Sequence, residues 1–330
     1  MMKEIFAPHL NRNVKFGRRK PAAIGPHLKL RNYLRAALPS APSSYDYTAK
    51  AAPILADVMG NDQYGDCVFA CGGHLVGVET ANAGAPYHET LDQILKDYTA
   101  VTGFNKNDPS TDNGANIQDA LNYWCAHGFA NGTKALGYLA VDATNVAEVQ
   151  SCIYLFENLV LGMELPDQWI SPFPAGNGFT WDRAGNSDPN NGHCVGAFGY
   201  GPKGPTIATW GLLGTLTYAG LAEYAASSGG GELWVVLTPD QLARGQQKAP
   251  NGVDWSSLIL DFDSIGGHVP VPAPPPPPTP PAPPVTGGVS LAQAEAAIRK
   301  AFVGSPWLIS SGAATTKALK ALEGLVGWPK

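Results

Sequence analysis

A run of small and apolar residues from Cys67 to Glu79 follows a turn at Asn61-Asp62 and predicts a buried helix that begins at Cys67. The start of a helix carries unpaired backbone N–H groups and the positive end of the macrodipole. Both favour a thiolate over a thiol. We therefore expect Cys67 to be a nucleophile with a pKa below that of a free thiol.

A second segment, from Gly192 to Tyr200, has strand character and carries His193 at its start. A histidine held at a sheet edge can accept the proton of a thiol, and a thiol with a base beside it is an arrangement for acyl transfer. Cys67 and His193 are far apart in the sequence. The sequence predicts that the fold brings them together as a catalytic pair.

These residues resemble the papain-like cysteine peptidases, in particular the smaller bacterial and phage-type members. In that superfamily a glutamine precedes the nucleophile, the cysteine begins a long central helix, and the histidine begins a strand of the form His-x-Val-x-x-x-Gly-Tyr. Gln63, Cys67 and the stretch from His193 to Tyr200 match these features, over roughly residues 50 to 240. The resemblance implies that Gln63 and the backbone N–H of Cys67 form an oxyanion hole. Gln63 lies four residues before Cys67, whereas six is usual.

The chain departs from the family at the third catalytic position. Trp210-Gly211 matches the family's Trp-Gly, but Ala208 stands where the family has the asparagine that orients the histidine. Alanine cannot hydrogen-bond through its side chain. We expect His193 to find another partner, either a backbone carbonyl or a residue of the loop 182–191 such as Asp188 or Asn190. Without one, the site is weak or inactive.

The predicted fold class is α+β, with a papain-like two-lobed body in which a central N-terminal helix is followed by a C-terminal antiparallel sheet. The patterns predict helices at 67–82, 89–101, 116–127 and 144–157, a short helix within 219–231, and strands at 135–141, 159–165, 194–200, 205–210 and 232–238.

A long loop rich in Gly, Pro and Asn precedes His193 and carries several aromatic residues. In the resembled fold such a loop lies beside the cleft, so its aromatic side chains either line a substrate groove or fasten the loop to the body. The candidate cleft residues are Asp66, Trp169, Trp181, Asp188, Asn190 and Trp210.

Charge is unevenly distributed along the 330 residues, whose net charge is −5. Nine basic residues and the single acid Glu4 lie between the N-terminus and Arg35, so the remainder is strongly acidic. A basic arm can lie across its own body, bind an acidic partner, or touch nucleic acid through phosphates. Nucleic acid is disfavoured because no base-stacking or recognition element accompanies the charge.

The C-terminal part changes character at Pro270. Eleven prolines in the fifteen residues 270–284 predict a polyproline II spacer of ~45 Å, at about 3.1 Å per residue. Two helical stretches follow, which are too small for a core of their own. The predicted division is a basic arm (1–48), a papain-like domain (49–245), an extended connection (246–269), a polyproline linker (270–287) and a helical docking segment (288–330).

Composition limits the remaining possibilities. The five cysteines are an odd number in mostly apolar surroundings, which favours buried thiols over disulfides. Cys67, Cys71 and His74 have helical spacing for a metal, with His193 or Cys194 as further ligands, but the tight Cys-x-x-Cys spacing of structural zinc is missing. We expect no metal and no cofactor. Because no signal peptide or apolar membrane span is seen, we expect a cytoplasmic or virion-associated protein that does not enter a membrane.

Two functions therefore stay open. The first is a papain-like cysteine peptidase or related acyl-transfer hydrolase that uses Cys67 and His193 on a peptide or protein substrate. The second is a catalytically weak or inactive structural or attachment protein of a larger assembly such as a phage particle. In the second, residues 1–45 and 288–330 bind protein partners or further copies of the chain.

Overall fold

The structure is a computed structural model that describes residues 3–20, 27–35 and 40–264. The predicted polyproline linker and helical docking segment lie outside the described residues. The helices of the described part are α1 (Ala52–Leu55), α2 (Cys67–Asn82), α3 (Leu91–Thr102), α4 (Ile117–His127), α5 (Val146–Phe156), α6 (Tyr218–Tyr224), α7 (Pro239–Lys248) and α8 (Trp255–Ser264).

The strands run in the same order along the chain. They are β1 (Glu4–Ala7), β2 (Arg12–Lys15), β3 (Arg18–Arg19), β4 (Tyr45–Asp46), β5 (Ala115–Asn116), β6 (Gly137–Ala140), β7 (Leu159–Glu164), β8 (Phe179–Trp181), β9 (Gly192–Tyr200), β10 (Pro205–Thr209), β11 (Leu212–Leu216) and β12 (Glu232–Leu237).

The main sheet has the strand order β6-β12-β7-β9-β10-β11-β8, with β4 added to one end of β9. Its pairs are antiparallel except for β11 with β8. Strands β7, β9 and β12 are buried along their whole length, as expected of central strands covered on both faces. The predicted α+β class is thus confirmed, and the sheet is antiparallel as predicted except for the parallel pair of β11 and β8.

Helix α2 is the centre of the molecule. Fourteen of its sixteen residues are buried, so it is apolar on every side, which is the pattern of a helix surrounded by protein. On one side Phe69 contacts Tyr98 of α3 and Trp124 of α4, and on another side α2 packs against β9. The helix therefore joins the helical lobe to the sheet, and its first residue lies where the two meet.

The basic arm folds onto its own body. Strands β1 and β2 form a hairpin, β3 pairs in parallel with β5, and the arm contributes Ala7, Val14, Phe16, Leu30 and Tyr33 to the hydrophobic core. Its cations pair with acids of the body: Arg12 with Asp62 (2.8 Å), Lys15 with Asp112 (3.2 Å), Arg18 with Glu232 (2.7 Å), Lys20 with Glu164 (3.6 Å), Arg31 with Asp142 (3.3 Å) and Arg35 with Asp254 (3.3 Å). The described residues of the arm therefore lie across the body of their own chain, which is one of the three alternatives that the sequence left open.

One segment differs from its prediction. Residues 246–269 were expected to be extended, yet α8 occupies Trp255–Ser264. Its inner face buries Trp255, Leu258 and Phe262, with Phe262 and Leu258 fully covered. The helical spacing of these three residues is present in the sequence, and the core that they cover is visible only in the fold. None of the helices that the structure describes is long and apolar enough to cross a lipid bilayer.

Candidate active site

Cys67 is the first residue of α2, as the sequence predicts. Its side chain is buried, and the backbones of Cys194 and Gly17 lie near enough to its sulfur to lower the pKa of the thiol. Burial nevertheless raises the pKa of the Cys67 thiol to about 12, and the nearby Asp66 carboxyl adds to the rise. The expectation of a lowered pKa is therefore wrong for this structure, because loss of water outweighs the helix terminus.

His193 lies in β9, next to Cys194 and therefore next to the backbone that lies near Cys67. Its Nε2 is 2.8 Å from Oγ1 of Thr209 in a hydrogen bond, and the Trp210 ring stacks on the imidazole with the centroids 3.9 Å apart. Its Nδ1 is buried and has no hydrogen-bond partner among the described residues. Burial lowers the pKa of His193 to about 3, so the ring is neutral.

The partner that orients His193 is thus Thr209, one residue beyond Ala208. The predicted alternatives in the loop 182–191 do not contact the ring. Asp188 instead accepts hydrogen bonds from the backbone and side chain of Asn190 and lies 3.5 Å from Nζ of Lys3. Counting residues back from Trp210 predicted Ala208 at this position. Only the register of β10 beside β9 shows that the side chain of the next residue, Thr209, reaches the ring.

The predicted oxyanion residue Gln63 has an exposed side chain. Asn61, which lies six residues before Cys67, is buried instead. Its Nδ2 donates to the carbonyl oxygens of Lys15 (3.3 Å) and Tyr64 (3.2 Å). Asn61 thus provides a buried amide donor six residues before Cys67, and this donor binds a backbone carbonyl of the arm.

The remaining predicted cleft residues have several roles. Asp66 precedes Cys67 and is fully buried; burial raises its pKa well above the ordinary carboxyl value, and the nearby Asp112 and Asp62 carboxyls add to this. Trp169 and Trp181 stack with centroids 4.8 Å apart, and Trp169 donates to the carbonyl of Asp182 at 2.7 Å. Trp169 also contacts Tyr224 of α6 at a centroid distance of 4.6 Å, and Trp181 contacts Trp210 at 6.5 Å, so the two rings fasten the long loop to the body, which is the second of the two alternatives given for them.

The arm crosses both candidate catalytic residues, Cys67 and His193. The Phe16 ring contacts His193 and Trp210 edge-on, at centroid distances of 6.0 and 5.6 Å. The backbone of Gly17 lies near the Cys67 sulfur, and a Cβ at Gly17 would lie 2.0 Å from the carbonyl oxygen of Gly65. At Gly17, where the arm comes closest to Gly65, there is room for a backbone without a side chain. The arm shields both candidate catalytic groups from water.

The next residue of the arm, Arg18, extends into a closed pocket. Its Nη2 and Nε donate to Oε1 of Glu232 at 2.7 and 3.1 Å, and its Nη1 donates to the carbonyl of Gly230 at 2.9 Å. The side chains of Arg18 and Glu232 are 1% and 2% exposed. Oε2 of Glu232 accepts from Nε1 of Trp234 at 2.9 Å and lies 3.5 Å from Nε2 of Gln118.

The other cysteines and histidines give no support to a metal centre. No group of three or more His, Cys, Asp or Glu side chains suited to a metal ion occurs in the part of the chain that the structure describes. His74, one of the residues with helical metal spacing, has its Nε2 2.8 Å from the carbonyl of Asp57. All five cysteines are free thiols.

Solved structures with a similar fold are papain-like cysteine proteases. Xylellain, a cysteine protease from Xylella fastidiosa, aligns over 72% of this chain and 98% of its own, with a TM-score of 0.53 and 14% identity. Procathepsin L 3 from the larval midgut of Tenebrio molitor aligns over 64% and 75%, with a TM-score of 0.44 and 16% identity. The protease CMS1MS2 of Carica candamarcensis, solved in complex with E-64, aligns over 59% and 98%, with a TM-score of 0.41 and 15% identity.

No protein-family model and no curated protein matches the sequence. At 14% identity the likeness to xylellain concerns the fold, and that fold is the papain-like fold that the Cys67 helix and the His193 strand predicted.

Proposed function

We propose that this chain is a latent papain-like cysteine peptidase. The observation that carries the proposal is the state of the His193 ring: Thr209 holds Nε2, while Nδ1 is left without a partner beside the helix that begins at Cys67. With its proton on Nε2 and donated to Thr209, the ring presents the Nδ1 lone pair to a thiol. Such a pair is what nucleophilic catalysis by cysteine requires.

The proposed reaction follows from these positions. Cys67 Sγ attacks the carbonyl carbon of a peptide bond, and its proton passes to Nδ1 of His193. The C–N bond then breaks, the amine leaves with that proton, and a thioester to Cys67 remains. Water adds to the thioester through the same base, which releases the acid and restores the thiol.

We assign the oxyanion hole to Asn61 and the backbone N–H of Cys67. Asn61 takes the place first given to Gln63 because its amide is buried and donates to a peptide carbonyl, that of Lys15. A preorganised donor of this kind is worth about 10²–10³ in rate.

Latency follows from the arm. With Phe16 and Gly17 over the pair, the Cys67 thiol and the His193 ring are both neutral at pH 7, because burial moves their pKa values to about 12 and about 3. A substrate backbone needs the place that the arm holds. The segment 15–19 must therefore leave before the enzyme acts.

Hydrolysis of fluorescently labelled casein by the full chain tests this function. We expect little activity from the wild type, clear activity from Arg18→Ala, and none from Arg18→Ala with Cys67→Ala. Arg19→Ala is the matched control, because Arg19 is the exposed neighbour on the same strand and its loss leaves the arm in place. If Arg18→Ala stays folded and releases the arm but cleaves nothing, the peptidase proposal fails.

That failure would favour the second candidate, a structural or attachment protein that retains the fold with an inactive site. The observation on its side is the same covered pair, since a thiol whose pKa is about 12 does not act as a nucleophile at neutral pH.

A further inference from the structure

We propose that the pocket around Glu232 binds an arginine side chain of the peptide substrate, and that Arg18 occupies it in the latent protein. The pocket is defined here by Glu232, Gly230, Gly162, Gln118 and Trp234. The inference rests on the proposed peptidase function and adds the class of substrate: peptides that carry an arginine close to the bond that is cut.

The polar groups of the pocket match a guanidinium. Glu232 Oε1 accepts two of the arginine's N–H groups and the Gly230 carbonyl accepts a third. This fork of donors is particular to arginine, because lysine offers a single ammonium at the end of a flexible stem. The pocket is therefore selective for arginine among basic side chains.

The body holds Glu232 ready for such a ligand. Trp234 donates to Oε2 at 2.9 Å and Gln118 lies 3.5 Å from the same atom, so the carboxylate is fixed with Oε1 turned to the occupant. All of these groups come from the body, and only the guanidinium comes from the arm. A carboxylate with 2% exposure is left without its cation when the arm departs, which makes the empty pocket strongly attractive to another one.

The shape of the pocket also suits an entering side chain. A Cβ at Gly162 would lie 2.8 Å from Nε of Arg18, 2.9 Å from Cγ of Glu232 and 2.7 Å from Cδ1 of Ile117. The absence of a side chain at Gly162 is therefore what allows an arginine to pass. The same holds for the backbone of the occupant, because a Cβ at Gly192 would lie 2.2 Å from the carbonyl oxygen of Arg18.

The pocket lies one residue from the reaction site. The backbone of Gly17 lies near the Cys67 sulfur and lowers the pKa of its thiol, and Arg18 is the next residue. A peptide that replaces the arm and extends an arginine into the pocket consequently places its own backbone at Cys67. Recognition of the arginine and presentation of a carbonyl are thus coupled.

The first test measures binding and needs no catalysis. The full chain with Arg18→Ala and Cys67→Ala is titrated calorimetrically with a synthetic peptide of residues 14–20. We expect binding to weaken at least about 100-fold when citrulline replaces the residue corresponding to Arg18, because the carboxylate is then left unpaired. A peptide with citrulline at Arg19 has the same net charge as the peptide with citrulline at Arg18, but it should bind like the parent peptide. Equal binding of the two citrulline peptides, or binding of none of the three, overturns the pocket.

The second test measures cleavage by Arg18→Ala on peptides that differ only in arginine or norleucine at one position. We expect kcat/KM to favour arginine at least about 100-fold, and Glu232→Gln to abolish most of this preference. Cleavage without preference refutes the pocket and leaves the peptidase function standing. Arginine-dependent binding without any cleavage refutes the function and leaves the pocket standing. The exchange of arginine for norleucine is made in the peptide and leaves the protein unchanged. This comparison therefore remains valid even where Glu232→Gln impairs folding.

Discussion

The chemistry of individual residues in this protein depends on which neighbours exclude water from them. Cys67 begins a helix and His193 lies beside it, yet burial raises the pKa of the first to about 12 and lowers that of the second to about 3. Both shifts favour the uncharged form, as desolvation must. Under the proposed function the described state is therefore a resting one, in which both residues are uncharged.

Thr209 is the residue whose change should most directly affect the base. In the Arg18→Ala protein we expect Thr209→Val to lower kcat by about 10- to 100-fold, because Nε2 loses its partner and the ring its fixed orientation; loss of a charged orienter costs more, about 10⁴-fold. Thr209→Ser should keep most of the rate. Steady-state hydrolysis of one peptide provides the comparison.

Thr206→Val on the same strand is the control, since Thr206 lies three residues before Thr209 in β10. A Thr209→Val protein that keeps the full rate would show that the hydroxyl does not orient His193.

Among the elements, the short segment around β3 connects the covering of the site with the pocket. It is held by the parallel pairing of β3 with β5 and by the buried pair of Arg18 and Glu232. Exposed ion pairs of the arm contribute only about 0–1 kcal/mol each. Breaking the buried pair lowers the stability of the fold by more, about 3–5 kcal/mol if no water reaches Glu232. The loss is smaller if water enters as the segment leaves.

Gly17→Ala should displace this segment without changing any charge. Its new Cβ would lie 2.0 Å from a backbone oxygen of Gly65, which cannot be relieved by rotating a side chain. We expect iodoacetamide to modify Cys67 at least about tenfold faster at pH 8 than in the wild type, because the thiol gains water and its pKa falls. Peptide mass spectrometry follows each cysteine, with the half-buried Cys125 as internal reference.

The matched control is Gly176→Ala, where a Cβ meets nothing within 4 Å. Unchanged modification of Cys67 in Gly17→Ala would mean that the segment does not control access to the thiol.

At the scale of the whole molecule, the two lobes are joined by α2 and by the arm. The arm residues Val14, Phe16 and Leu30 are core residues, and each contributes about 1.5–3 kcal/mol by burial. Removal of the first 45 residues should therefore destabilise the body, so single substitutions are the better way to open the site. At its other end α2 contacts the sheet side through Glu79, whose carboxylate accepts a hydrogen bond from Thr238 at the start of α7.

This contact predicts a pH dependence of stability. Burial raises the pKa of Glu79 from 4.5 to about 7, while the Thr238 hydrogen bond and Arg244 oppose the rise. A carboxyl group with a raised pKa in the folded state binds its proton more tightly there than in the unfolded chain. Its stabilising contribution is complete below pH 4.5 and is lost as the pH rises to about 7.

We expect the free energy of unfolding of the wild type to fall by about 2–3 kcal/mol relative to Glu79→Gln between pH 4.5 and 7.5. Urea unfolding at a series of pH values measures it. Glu223→Gln, at an exposed carboxylate, is the control and should parallel the wild type. Parallel curves for Glu79→Gln and the wild type would contradict the shift.

Local patterns in the sequence predicted half of the helices and strands that the structure describes. The apolar run after Cys67, the strand at His193 and the spacing of the other helices depend on contacts between near neighbours in the chain, and these patterns placed α2 and the central strands within a few residues. The papain-like fold was implied by the resemblance of the segments at Cys67 and His193 to that family, and the predicted order of helices before strands agrees with it. Helix α8 was missed because its apolar face is defined by a core that lies elsewhere in the chain.

The site itself was decided by tertiary structure. Thr209 reaches His193 through the register of β10 beside β9, and Arg18 meets Glu232 across a separation of 214 residues. The charge state of Cys67 was misjudged for the same reason. A helix terminus is visible in the sequence, but the burial that outweighs it is a property of the folded chain, in which the pKa of Cys67 rises although the nearby Gly17 backbone lowers it.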